Sequence, residues 1–254
     1  MRNLIKAEFL KLKGIPYFKS LLAIAIILPL VGTIINANSL KQYSWESFIN
    51  QNLWLSMMLV WPIYLLIVGS IMFICEKSQR TIENLLVIPV GRKQLILAKI
   101  SVLIILTMLL ASITYLANLL GLTLGFSVNP NDFLSGFFHY LIGSLIMFGA
   151  LLLVFALIHL FDLGYPGAFV AGCLFLIMSF VGMWNPFSAS LLPAVIALRF
   201  AGCDYQITYT FSYHWSLVFY TLNICVYLFI LLIFGYRPGL IKSRKTIYDK
   251  KSGL

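Results

Sequence analysis

The chain has 254 residues, of which 61% are hydrophobic and only 10% are charged, and its mean hydropathy is +0.96. This composition is far too apolar for an ordinary water-soluble domain and indicates an integral membrane protein. The excess of 18 Lys and Arg over 8 Asp and Glu flanks apolar runs and does not form a basic face on a soluble fold, which argues against nucleic acid as a partner.

The first segment, residues 1–16, mixes basic and apolar side chains. Its pattern predicts a short amphipathic helix that lies in the headgroup layer of the membrane, with lipid as its partner. Leu4 and Leu10 fall outside the apolar stripe. The residues expected to define this interfacial helix are Lys6, Phe9, Lys11, Leu12 and Lys13.

Six apolar runs have about the length that a bilayer requires, roughly 20 residues each. The first is preceded by a long basic lead and followed by no Ala-x-Ala cleavage site, which argues against a signal peptide. We therefore predict an all-α membrane protein with a single transmembrane domain over residues 1–254. Its predicted spans are 17–35, 52–75, 100–126, 137–160, 167–184 and 214–236.

Between the fifth and sixth spans, residues 185–213 contain an apolar run, 191–200, that is interrupted by Pro193 and is too short to cross the membrane. We predict a short re-entrant or extracellular helical element here. A seventh span through this run would place Arg199 in hydrocarbon, at a cost of about 2.5 to 3.5 kcal/mol.

Positive charges predict the orientation of the chain. Sixteen of the 18 Lys and Arg lie in residues 1–19, in residues 76–99 and in the basic tail, 237–254, whereas Lys41 and Arg199 lie on the opposite side. Because Lys and Arg keep loops in the cytoplasm, both termini and the 76–99 segment are expected to be cytoplasmic, in a multi-pass protein of the plasma membrane.

The 76–99 segment follows the second span and has the features of a docking element. Ile82, Leu85 and Leu86 form one apolar stripe on a short helix, which Ser78 is placed to cap and Pro89 to end. A helix with one apolar edge is suited to a groove in a partner protein. The alternative is a plain loop whose Lys and Arg keep it on the cytoplasmic side.

The spacing within this segment resembles that of the permeases of type 2 ATP-binding cassette (ABC) exporters. The matching series is Glu76, Thr81, Glu83, Leu85, Leu86, Pro89, Arg92 and Lys99. Arg80 departs from the family, which often has Gly before the Thr. The resemblance implies that this is a coupling helix seated in a cleft of a separate ATPase. The residues it would assign to that contact are Glu76, Arg80, Thr81, Ile82, Glu83, Leu85, Leu86, Pro89 and Arg92.

The same resemblance implies a half-size permease that pairs with a second, identical or similar membrane subunit and with two ATPase subunits. ATP and Mg would bind to those partners, and this chain would bind no cofactor. The chain is similar in look to Gram-positive permeases for membrane-active peptides, namely lantibiotic-immunity, bacitracin-resistance and phenol-soluble modulin exporters. Amphipathic or hydrophobic peptides are therefore the expected cargo, and toxin export or antimicrobial-peptide immunity the expected role.

Catalytic motifs are absent from the sequence. There is no P-loop, and no Gly-Lys pair from which to build one, so we expect the chain not to be an enzyme and ATP hydrolysis to occur elsewhere. His139, His159 and His214 have no Cys, Asp or Glu at metal-ligand spacing, so no metal site is predicted. Two alternatives remain open: export of lipid, glycan or hydrophobic drugs by the same fold, and a membrane-embedded sensor or enzyme.

Overall fold

A computed structural model of the chain describes residues 2–13, positions 23, 26, 27, 30 and 31, and residues 45–78, 92–119, 130–161, 163–203 and 207–234. Within these residues the regular elements are all helical, with no strand, in agreement with the predicted all-α class. The helices are α1 (Arg2–Lys13), α2 (Trp45–Leu55), α3 (Trp61–Ser78), α4 (Arg92–Asn118), α5 (Pro130–Leu160), α6 (Tyr165–Gly182), α7 (Pro186–Ala189), α8 (Pro193–Phe200) and α9 (Tyr213–Phe234).

Five stretches of the described residues are long and apolar enough to cross a membrane. They are Trp45–Ile74, Gln94–Asn118, Pro130–Ile158, Tyr165–Gly182 and Tyr213–Ile233. These stretches fall at the predicted second to sixth spans and confirm a multi-pass membrane protein. The predicted first span, 17–35, lies outside the described residues except at isolated positions, and the basic tail, 237–254, lies outside them entirely.

The helices at the second and third spans begin earlier than predicted, at Trp45 rather than residue 52 and at Arg92 rather than residue 100. Residues 92–99 were assigned to the docking segment, but they form the first two turns of α4. Leu95, Ile96 and Ala98 are buried there, and Lys, Gln, Leu and Ala are good helix formers. Packing and propensity thus extend the helix beyond the purely apolar run.

α2 and α3 are joined by a turn of π-helix, Ser56–Val60. Pro62 has no N–H to donate to the Met58 carbonyl, and its ring crowds that carbonyl. The helix widens locally, so that the Trp61 N–H donates to the Ser56 carbonyl, five residues back. Pro62 therefore gives a physical reason for the π turn in the second span.

α5 is the central helix and packs against α3, α4, α6, α8 and α9. Glycines allow two of these close approaches. A Cβ at Gly149 would lie 2.9 Å from Ile224 Cδ1, and one at Gly69 would overlap the Phe155 ring. In contrast, only 22% of the apolar stretch of α6 and 17% of that of α9 is buried. Most of the apolar surface of these two helices therefore faces outward.

The predicted short element between the fifth and sixth spans is present as α7 and α8. The α8 residues from Ala194 to Leu198 are fully buried, and the helix packs on α5. Arg199 holds its end in place: its guanidinium donates to the Phe211 carbonyl at 2.9 Å and to Ser216 Oγ at 2.7 Å, and lies 4.3 Å from the Tyr209 ring centroid. The element is therefore a packed part of the bundle and not a further span.

Candidate functional site: the ion-paired end of the bundle

In the chain, the predicted docking segment begins in the last turn of α3 and is followed by α4. Glu76 lies in the last turn of α3, Ser78 is its final residue, and Arg92 is the first residue of α4. The remaining residues assigned to ATPase contact lie outside the described residues, so the docking helix stays a prediction. Those residues are Arg80, Thr81, Ile82, Glu83, Leu85, Leu86 and Pro89.

The N-terminal helix α1 packs against α4, at the same end of the bundle. The predicted apolar stripe of this helix consists of Ile5, Phe9 and Leu12. Leu12 is buried, and Ile5 and Phe9 pack partly against the core. We expected this stripe to face lipid, but part of it is covered by protein. Lys6 and Lys13 are exposed, as an interfacial helix requires.

A buried ion pair joins α1 to α4. Lys99 Nζ lies 3.0 Å from Glu8 Oε2, and the two side chains are 1% and 4% exposed. The other carboxylate oxygen, Oε1, accepts from Lys11 Nζ at 2.6 Å; the Lys11 side chain is 47% exposed. Glu8 thus receives one cation from inside the bundle and one from its rim.

Lys99 also contacts α3. Its ammonium donates to the Met72 carbonyl at 2.7 Å and lies 5.9 Å from the Phe73 ring centroid. One ammonium group therefore connects three helices. α3 and α4 flank the docking segment in the chain, and α1 packs against α4.

This arrangement follows from the position of both residues on apolar helix faces. Glu8 is three residues after Ile5 and four before Leu12, so the three side chains share one face of α1. Lys99 lies one turn from the buried residues Ile96 and Leu103, on the same face of α4. A buried charge requires an opposite charge and hydrogen bonds, and each of these two residues supplies what the other needs.

The sequence analysis did not find this pair. Glu8 is the only acidic residue among the first 45, and it lies on the apolar stripe of a basic helix. Lys99 is the one Lys or Arg within the 25-residue apolar stretch Gln94–Asn118 that the structure shows. Each is an isolated charge where apolar side chains are expected, and that anomaly is the signal that points to a partner.

A second polar cluster lies near the other end of α4 and was also missed. Trp61 Nε1 donates to Thr114 Oγ1 at 3.3 Å. The Asn118 amide donates to Tyr140 Oη at 2.7 Å, and Tyr140 Oη donates to the Ile49 carbonyl at 3.2 Å. These contacts are neutral hydrogen bonds among α2, α3, α4 and α5.

Neither cluster has the composition of a metal or nucleophilic site. In the part of the chain that the structure describes, no group of three or more His, Cys, Asp or Glu side chains comes together. His139 and His214 are exposed. The polar groups of these clusters hold the described helices together.

Comparison with protein families agrees with this geometry. Residues 4–182 match the model of a family described as "ABC-2 family transporter protein". The match covers α1, the docking segment and every helix through α6, so both the ion pair and the predicted coupling residues fall within it. No curated protein matches the chain. The chain therefore belongs to the ABC-2 family of transporter proteins and is a multi-pass membrane permease that works with ABC ATPase subunits.

Proposed function

We propose that this permease exports amphipathic, membrane-active peptides from the cell or from the membrane. The observation that supports this cargo is the scarcity of charge in the spans. Within the five described spans, Asp, Glu, Lys or Arg occurs only as Glu46, Lys99 and Asp132, and none of these lies in the middle third of its span. A pathway along such helices would desolvate ions and sugars at high cost but would accept an apolar peptide face.

The proposed assembly contains two permease subunits and two ATPase subunits. It lies in the plasma membrane of a Gram-positive bacterium, with both termini in the cytoplasm. The charge asymmetry supports this orientation, because the Lys and Arg of α1 and of the start of α4 lie at the same end of the bundle. Family membership supports the ATPase partner. The number of subunits rests on the resemblance described above.

The cargo is tested with purified permease and ATPase in sealed lipid vesicles. We expect a cationic amphipathic peptide to stimulate ATP hydrolysis and to move across the membrane only when ATP is present. A hydrophilic sugar should do neither. Stimulation by a lipid analogue or a hydrophobic drug, without any response to peptides, would favour the alternative cargo and overturn the peptide proposal.

We also propose that the 76–91 segment docks in the ATPase through Ile82, Leu85 and Leu86. The variant Leu85→Asp/Leu86→Asp removes two apolar anchors, each contributing about 1.5 to 3 kcal/mol when fully buried, and adds charge at the contact. ATPase retention on the purified permease should therefore fall by orders of magnitude, while membrane insertion is unchanged. Arg80→Ala is the control and should retain the ATPase, because exposed charges at an interface rim contribute little. Full retention by the double Asp variant would contradict docking through this segment.

A further inference from the structure

We propose that Glu8 and Lys99 are positioning residues that make α1 and the adjoining ends of α3 and α4 move as one body when the ATPase acts on the docking segment. This inference rests on the proposed docking of the ATPase at that segment. It does not depend on the cargo.

The ion pair of Glu8 and Lys99 lies close to both ends of the docking segment. Met72 lies six positions before Ser78, the last residue of α3, and Lys99 lies seven positions after Arg92, the first residue of α4. The contact is therefore about 10 Å of helix away from both ends of the docking segment. Force that enters at the segment reaches Met72 and Lys99 before it reaches the rest of either span. At that point the Lys99 ammonium bonds to the α3 backbone and to Glu8 on α1.

The contact at this point is charged. Apolar contacts have no preferred direction, whereas charge-assisted hydrogen bonds require specific directions and short distances. The Lys99 bonds of 2.7 and 3.0 Å are made in a site from which water is excluded, with Lys99 fully buried. Separation of α1, α3 and α4 would leave a buried charge without its partner, so these helices resist separate movement.

A structural role alone would explain burial of the pair, so the test must separate stability from coupling. The variant Glu8→Leu/Lys99→Met removes both charges of the described pair at once, so neither member is left buried opposite an apolar side chain. Such replacements of a buried ion pair by apolar residues are often neutral or stabilising. We expect insertion, yield and ATPase retention at the level of the parent.

The measured quantity is the amount of peptide transported per ATP hydrolysed in vesicles. We expect the double variant to hydrolyse ATP but to transport at least about fivefold less peptide per ATP, a loss in the range of ordinary coupling between sites. Glu46→Gln, which alters an exposed carboxylate at the start of α2, should keep the ratio of the parent. An unchanged ratio in the double variant, or loss of the ATPase from it, would overturn the proposal.

A cargo-independent measurement separates this proposal from the peptide proposal. Nitroxide labels are attached at Ala7→Cys on α1 and Gln94→Cys on α4, both exposed positions, with the four native cysteines changed to serine. In the labelled protein with Glu8 and Lys99 intact, the distance between the two nitroxides should be the same without ATP as when ADP and vanadate are trapped in the ATPase. In the Glu8→Leu/Lys99→Met background it should shift or broaden on trapping. An equal shift in both backgrounds would contradict rigid movement, whether or not any peptide is transported.

Discussion

The two ends of α4 hold their polar side chains in different ways. Near its start, Lys99 uses full charge and pairs with Glu8 and the Met72 carbonyl. Near its other end, Thr114 and Asn118 make neutral hydrogen bonds to Trp61 and Tyr140. Fifteen residues separate Lys99 from Thr114, about 22 Å of helix, which is most of the roughly 30 Å thickness of a hydrocarbon core.

The difference reflects what each environment tolerates. At the charged end, Lys11 is about half exposed and brings a second cation to Glu8 from the rim of the protein. At the neutral end, Thr114, Asn118 and Tyr140 are fully buried. A buried neutral group that loses its partner costs a modest amount of free energy, whereas a buried ion that loses its partner costs more. The charged end should therefore be stiff and intolerant of the loss of one charge, and the neutral end more adaptable.

The largest expected effect comes from breaking the ion pair on one side. Lys99→Met leaves the Glu8 carboxylate buried, with Lys11 at the rim as its described ionic partner. We expect the free energy of unfolding to fall by up to about 3 to 5 kcal/mol, the cost when a buried charge is left without any partner, and the remaining contact with Lys11 reduces that cost. Denaturation of the purified permease in mixed lipid–detergent micelles measures this change.

The double variant Glu8→Leu/Lys99→Met supplies the control for that measurement. Because it removes both charges, its free energy of unfolding should be at least that of the parent, although it carries one more substitution than Lys99→Met. If the single and double variants lost equal stability, the effect would come from packing at position 99 and not from an uncompensated charge. The contrast between the two ends of α4 would then lose its electrostatic basis.

Hydropathy alone predicted the described spans because the bilayer leaves the chain few choices. A backbone in hydrocarbon must satisfy its own hydrogen bonds, so a long apolar run such as 137–160 becomes a helix. The same reasoning failed at helix starts. The residues from Trp45 to Gln51 include Glu46, Ser47 and Gln51, yet Trp45, Phe48 and Ile49 among them are buried, and the helix continues through all of them.

The ion pair could not be predicted from local pattern, because its members are 91 residues apart. A single sequence shows that Glu8 and Lys99 are out of place on their helices, but not that the fold brings them together. The docking stripe of Ile82, Leu85 and Leu86 is the opposite case. Its helical spacing is local and readable, but its predicted partner is another protein.

A smaller effect is expected at the neutral end from Tyr140→Phe. This change keeps the ring, which lies 5.2 Å from Tyr115 and 5.9 Å from Trp61 by centroid distance, and removes only the hydroxyl. The Asn118 amide loses an acceptor and the Ile49 carbonyl loses a donor. Each hydrogen bond within a membrane contributes about 0.6 kcal/mol on average, and this change removes two, so the unfolding free energy should fall by about 1.2 kcal/mol. A loss equal to that of Lys99→Met would show that the neutral end is as stiff as the charged one.

The smallest effect is expected from Thr114→Val. Valine has nearly the shape of threonine, so the change removes one hydroxyl and leaves the packing around α4 intact. That hydroxyl accepts from Trp61 Nε1 at the long distance of 3.3 Å and donates to the Ala111 carbonyl within its own helix at 2.9 Å. We expect a loss of about 0.6 kcal/mol in the unfolding free energy, the average for a hydrogen bond between membrane helices. Thr114→Ser is the matched comparison, because it keeps the hydroxyl and removes the methyl group. If the serine variant were the less stable of the two, packing would outweigh the Trp61 bond at this position. A loss in the valine variant near that of Lys99→Met would mean that a single neutral bond secures this end of α4 as firmly as the ion pair secures the other.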